Sequence, residues 1–168
     1  MHTRRQATTQ LTTAALGVAL AGGLAQRASA QTAAPKIVAE RFAQTLSAHD
    51  IEGFAALFAD GYVNHQLSAA APPPQGVRDK DASVAFFRAR LAGMPDLKVA
   101  IEAVVAEGDK VAASFVYTGS HGGTWFGIAP TGRALRFTSC DIFRVEGGRI
   151  AEHWGMGDIA GVMAQLRG

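Results

Sequence analysis

Asp141 and His153 stand among large apolar residues on two prospective strands that meet at Gly147-Gly148, inside the stretch Gly119 to Asp158. Burying a carboxylate beside apolar groups costs several kcal/mol unless it is paired or protonated. A purely structural sheet has no use for that expense, so the hairpin points to chemistry. Alternate residues of a strand share a face, which puts Asp141 with Phe137, Ser139, Phe143 and Val145. A carboxyl group held there can take and return a proton. The part of His153 depends on register. With a three-residue loop, Glu146-Gly147-Gly148, Val145 pairs with Arg149 and Asp141 lies directly opposite His153, within reach of a charge-assisted pair. With Gly147-Gly148 alone as the loop, His153 points to the other face, opposite Ile142.

Other candidates are spread along the chain. Tyr62, Asn64 and His65 form a short extended piece, where His65 can act as a base and Asn64 can orient a substrate oxygen. His121 lies in a Gly-rich run, placed either to reach a pocket mouth or to stabilise the turn. Trp125, Phe126, Phe137, Phe143 and Trp154 read as core or pocket wall, with Trp125 and Phe143 the candidates for ligand contact. Asp158, just before Ile159-Ala160, reads as a helix cap. The histidines and Asp141 match no local metal-ligand spacing, so no metal is expected. Gly127 to Arg133 lacks the Lys-Ser/Thr step of a phosphate loop.

Positioning these residues requires helices first and strands afterwards. Ile37, Val38, Phe42 and Leu46 recur at helical spacing over Lys36 to about Ala48. Asp50 can cap a second helix through Phe58, ended by Asp60-Gly61. Ala69 to Gly76, with three consecutive prolines, must be a loop. Asp79 to Leu91 gives a third helix, with Val84, Phe87 and Leu91 on one stripe, and Pro95 blocks continuation. Leu97–Ala106 and Lys110–Ser120 read as a hairpin around Glu107-Gly108-Asp109. Ala134–Val145 and Arg149–His153 form the second hairpin, and Asp158–Leu166 closes the chain as a helix. The class is α+β, with helices packed on one face of a curved antiparallel sheet.

Residues 1–30 read separately. Arg4-Arg5, an Ala/Leu/Gly-rich middle and Ala28-Ser29-Ala30 describe a cleaved export signal resembling the twin-arginine type. The apolar stretch is too short and Gly-interrupted for a spanning helix. The expectation is a periplasmic or secreted product, with residues 31–35 as a tether and 36–168 as one domain. Of the 16 Lys and Arg, three lie in this leader and none of the 14 acids does, so the mature charge is 13 − 14 = −1. The basic balance of the whole chain therefore gives no argument for nucleic acid, nor for a membrane partner after cleavage. Cys140 is the only cysteine, which rules out an internal disulfide, and it reads as inert core.

Six segments together resemble the SnoaL-like polyketide and ester cyclases, within the superfamily named for nuclear transport factor 2. They are Tyr62-Val63-Asn64-His65, Pro95-Asp96-Leu97, Gly119-Ser120-His121-Gly122-Gly123, Gly127 to Arg133, Asp141-Ile142-Phe143-Arg144, and Arg149 to Trp154. The resemblance implies a cone-shaped α+β barrel with a deep apolar pocket, and chemistry without cofactor or metal. It also implies the register that brings Asp141 to His153, a pocket-lining place for Tyr62 to His65, and pairing into a homodimer through the outer sheet face. It places Asp141 where such cyclases carry a pocket histidine. The family's acid/base aspartate follows the strand histidine by two positions, and Gly155 stands there instead. Two readings follow. One is an exported, cofactor-independent enzyme in which Asp141, His153 and His65 move protons on a small carbonyl compound. The other is a non-catalytic periplasmic protein that binds a small molecule in the same pocket.

Overall fold

The structure, a computed structural model, describes residues 34–66 and 75–168. The export leader, residues 31–33 of the tether and residues 67–74 of the proline loop lie outside the described residues. Helix α1 spans 34–47, so the end of the expected tether is already helical. Pro35 sits in the first turn, where a backbone N–H has no partner to lose. The helix buries Val38, Ala39, Phe42, Ala43 and Leu46, while Ile37 falls on its outer side and is exposed.

Helix α2 (Ile51–Ala56) starts at Asp50, whose Oδ1 accepts from Gly53 N at 2.8 Å. It stops two residues short of Phe58, because Phe58–Asn64 becomes strand β1. That strand adds in parallel to the far edge of the sheet, and Ile150 N donates to Leu57 O at 2.7 Å at its start. Sheet pairing overrides the local helical pattern here. Helix α3 (Asp79–Gly93) runs two residues beyond Leu91 and ends before Pro95.

Strands β2 (Lys98–Glu107), β3 (Lys110–Ser120), β4 (Ala134–Glu146) and β5 (Arg149–Gly157) are antiparallel in sequence. The sheet order is β1-β5-β4-β3-β2, and helix α4 (Ile159–Arg167) follows. Asp158 caps α4 by accepting from Gly161 N at 2.8 Å. The helices cover the concave face of the curved sheet. Phe42 centres that core, with the rings of Phe54, Phe87, Phe115 and Phe143 all 5.1–5.4 Å away. Cys140 corrects the expectation of a core thiol: it alternates with Ser139 and Asp141, so it faces outward and is exposed. No helix among the described residues is long and apolar enough to cross a membrane.

Candidate active site

The β4–β5 hairpin adopts neither register expected from its sequence. Glu146 pairs with Arg149 across the two-residue turn Gly147-Gly148, both at positive φ. Two residues further along, the pairing slips: Val145 pairs with Ile150, but Arg144 pairs with Glu152. Ala151 is the extra residue of a β-bulge. Without it, the short turn would have sent His153 outward. With it, His153 pairs with Phe143 on the concave face and Asp141 pairs with Gly155. Asp141 and His153 are thus diagonal neighbours on one face, a separation that long side chains bridge.

They do bridge it. His153 Nε2 lies 2.7 Å from Asp141 Oδ1, and each side chain is only 7% exposed. Ser139 Oγ donates to Asp141 Oδ2 at 2.5 Å and lies 3.3 Å from the Tyr117 hydroxyl. His153 Nδ1 lies 3.2 Å from the Tyr62 hydroxyl, which accepts from Ser83 Oγ at 3.4 Å. Asn64 Nδ2 donates to the same Ser83 Oγ at 3.5 Å. One string of polar contacts therefore crosses β4, β5, β1 and α3. In the tautomer that donates Nε2–H to Asp141, His153 Nδ1 accepts the hydrogen bond of the Tyr62 O–H. Burial pushes the Tyr62 hydroxyl well above the usual tyrosine range. It pushes Tyr117 up to about 12, against the pull of Arg90.

Gly155 has a packing reason. A Cβ added there would overlap Asp141 Oδ1 and His153 Nε2. The Asp141 carboxylate thus occupies the space beside His153 that a side chain at 155 would need. β5 extends past His153, through glycines that sequence reading places outside the strand, by pairing with β4 as far as the Ser139–Gly157 pair. Glycine is used in a strand where another group approaches its backbone closely.

The string lines a cavity of about 150 Å³. Asp141, His153, Tyr62 and Asn64 all face it, with Phe42, Phe58, Phe86 and Phe87 supplying apolar wall. The remaining sequence candidates lie elsewhere. His65 alternates outward from Asn64, pairs with Glu152 Oε2 at 2.8 Å and stacks on Trp154 at 4.5 Å. His121 is buried, but in the loop rather than at a pocket mouth. Its Nδ1 accepts from Thr131 N at 3.2 Å and lies 3.0 Å from Thr131 Oγ1, holding the Gly-rich connection closed. Trp125 packs on Phe126 and Phe137 and fills the space above Gly93, outside the cavity lining. Phe143 lies in the core with its ring 5.2 Å from that of His153, so it supports the imidazole rather than meeting a ligand.

Sequence reading missed Arg90. Its side chain lines the cavity, and it is 4% exposed. Its guanidinium carbon lies 4.6–5.2 Å from the ring centres of Phe86, Phe87, Tyr117 and Phe137. Burial pulls its pKa below the usual arginine value, while Tyr117 and Asp141 oppose that. The available signal was its place on the inward stripe of α3, after Ser83 and Phe87 and beside Leu91.

Comparison with known proteins follows the same lines. A family model described as SnoaL-like polyketide cyclase matches residues 36–166. Wild-type IdmH from Streptomyces antibioticus, a proposed polyketide cyclase, is 30% identical with a TM-score of 0.68, covering 80% of this chain and 99% of its own. TsrD from Streptomyces laurentii is 26% identical with a TM-score of 0.68, covering 80% of this chain and 95% of its own. AclR from Streptomyces galilaeus, a proposed hydroxylase, has the same TM-score at 21% identity, covers 81% of this chain and 97% of its own, and is a likeness of fold alone. No curated protein matches the chain.

Proposed function

Because the chain belongs to the SnoaL-like polyketide cyclase family, we propose that it is an acid–base enzyme acting on a small carbonyl compound inside this cavity. The observation that carries the reading is the buried Asp141–His153 pair, 2.7 Å apart and facing the cavity. Asp141 removes a proton from carbon next to a carbonyl. The C–H electrons move to the carbonyl oxygen as an enolate, and the proton rests on the carboxyl group. The enolate carbon then attacks a second carbonyl of the same molecule, and the new alkoxide takes the proton back. Ring closure on these terms balances without a cofactor. Isomerisation uses the same first step and returns the proton to a different carbon.

The surrounding groups have defined parts. His153 and Ser139 each hold one Asp141 oxygen, which fixes the carboxylate against the cavity. Tyr62 holds the far side of the imidazole. Asn64 orients a substrate oxygen from the opposite wall. Gly155 does not leave the site without an acid in this reading, because the acid comes from the neighbouring strand. The second reading, a binding protein without turnover, draws on the same contacts: both Asp141 oxygens are already engaged.

The deciding experiment is α-proton exchange of small aryl ketones in D2O, followed by NMR. Wild-type protein should accelerate exchange and Asp141→Asn should not. Binding without exchange would favour the second reading. Export through the leader and pairing through the outer sheet face belong to the same proposal. Val105, Ile142 and Met156 are exposed apolar residues in the sheet strands that support pairing. Sedimentation of the exported, cleaved protein tests both.

A further inference from the structure

Arg90 is a buried cation with no acid in ion-pair distance among the described residues. Asp141, whose charge it feels, is already committed to His153 and Ser139. Among the described residues, Arg90 Nε has no hydrogen-bond partner. Isolated buried charges are among the costliest groups a fold can hold. The four surrounding rings offset part of this, since each cation–π contact contributes about 0.5–2 kcal/mol. The Tyr117 hydroxyl takes part of the guanidinium's hydrogen bonding, but Nε is left over. A planar guanidinium with its Nε–H unfilled matches a flat oxyanion, because both present delocalised charge in one plane.

We infer that Arg90 is the counter-ion of a ligand that arrives already anionic, a delocalised enolate of the 1,3-dicarbonyl kind on a single-ring apolar body. Size sets the body: the cavity of about 150 Å³ equals the volume that in an engineered apolar cavity holds one benzene ring, about 150 Å³. Position sets the charge, because Arg90 and the Asp141–His153 pair line one cavity. An enolate bound at Arg90 keeps its nucleophilic carbon and its carbonyl groups in the cavity that the Asp141–His153 pair also lines. The inference rests on the proton-transfer reading for its chemical purpose, but its binding test is independent of turnover.

Cyclohexane-1,3-dione, ionised at neutral pH, and cyclohexanone, uncharged and of the same ring size, are the probes. Calorimetric titration of the wild-type protein should give the dione at least about tenfold the affinity of the ketone, which corresponds to about 1.4 kcal/mol. Arg90→Met should bring the ratio to about one while leaving cyclohexanone affinity unchanged. Arg90→Lys, which keeps the charge and loses the planar fork, should keep part of the preference. Equal affinities in the wild type overturn the inference, as does a preference that survives Arg90→Met. If Arg90→Met does not fold, the wild-type ratio and Arg90→Lys decide. The Asp141→Asn protein should retain the dione preference, so loss of proton exchange with retained preference separates a failed mechanism from a failed ligand assignment.

Discussion

Neighbouring residues of β5 take part in two histidine–carboxylate pairs on opposite faces of the sheet. Inside, His153 meets Asp141 at 2.7 Å with both side chains 7% exposed. Outside, Glu152 meets His65 at 2.8 Å with 26% and 37% exposed. The outer carboxylate also takes Arg144 Nε at 2.5 Å, and these two hydrogen bonds hold its pKa below the usual glutamate value. The outer pair is a clasp between β1 and β5 in high dielectric, where ions gain little from meeting. Among the described residues the inner pair has no Lys or Arg at bonding distance; it adjoins an apolar cavity and is held by hydroxyl groups on both sides. Chemistry of one type is structural on one face and, in the function we propose, available for proton transfer on the other, and water makes the difference.

Removing one carboxylate from each pair gives the widest contrast. Asp141→Asn keeps the shape and removes the proton acceptor, so carbon–proton exchange should fall by about 10²–10⁴-fold, the usual contribution of a positioned acid or base. Glu152→Gln should leave exchange within about twofold, as expected for an exposed pair remote from the reacting atoms. Comparable losses in both variants would erase the distinction between the faces.

Gly155 sharpens the comparison from the inside. Gly155→Ala drives a methyl group into the Asp141–His153 contact. Overpacking of this kind costs about 1–3 kcal/mol, which denaturant titration would read. The paired variant Asp141→Gly with Gly155→Asp moves the carboxylate across to β5 and should recover both stability and part of the exchange activity. Recovery of stability alone would mean that position matters beyond the presence of an acid beside His153.

Where the sequence was readable, local rules sufficed. Asp50 and Asp158 announce helix starts by side-chain chemistry alone, and Lys110–Ser120 has turn residues before it and a Gly-rich run after it. The inner pair was legible as residues but not as geometry, because a bulge at Ala151 is decided by packing beyond the turn. The parallel edge strand β1 was hidden for a similar reason: its partner lies almost ninety residues away in sequence. Strand alternation could have excluded His65, since Tyr62 and Asn64 already claim the inner face. Arg90 was lost because a charged residue on a helix is ordinarily assigned to water, and only the four rings around it reveal otherwise.

Alkaline titration reaches the inner face through its hydroxyl groups. Tyr117 ionises at about 12 in the fold against an ordinary 10.0, mainly because burial penalises the phenolate. A raised folded value means the stabilisation is complete below pH 10 and is lost as pH climbs through about 12. Wild-type protein should therefore lose stability across that window, and Tyr117→Phe should lose less of it. The variant should start lower at neutral pH, because Ser139 loses one neighbour. A wild-type Tm that stays flat between pH 10 and 12 would mean that Tyr117 is not sealed from water.

The smallest effect belongs to the outer clasp, and its sign runs the other way. Glu152 is lowered in the fold, first by the His65 hydrogen bond and then by that of Arg144. A depressed carboxylate contributes stability above its ordinary value of 4.5 and loses it as pH falls through the lowered folded value. The Tm of wild type should exceed that of Glu152→Gln slightly at pH 7, and the gap should close below pH 4.5 and narrow with added salt. Asp141→Asn, tested in the same series, should show little salt dependence, because its partners are out of reach of mobile ions. A gap that ignores salt for Glu152 would place the outer pair in the same dry environment as the inner one, and the two faces of β5 would no longer differ by solvent.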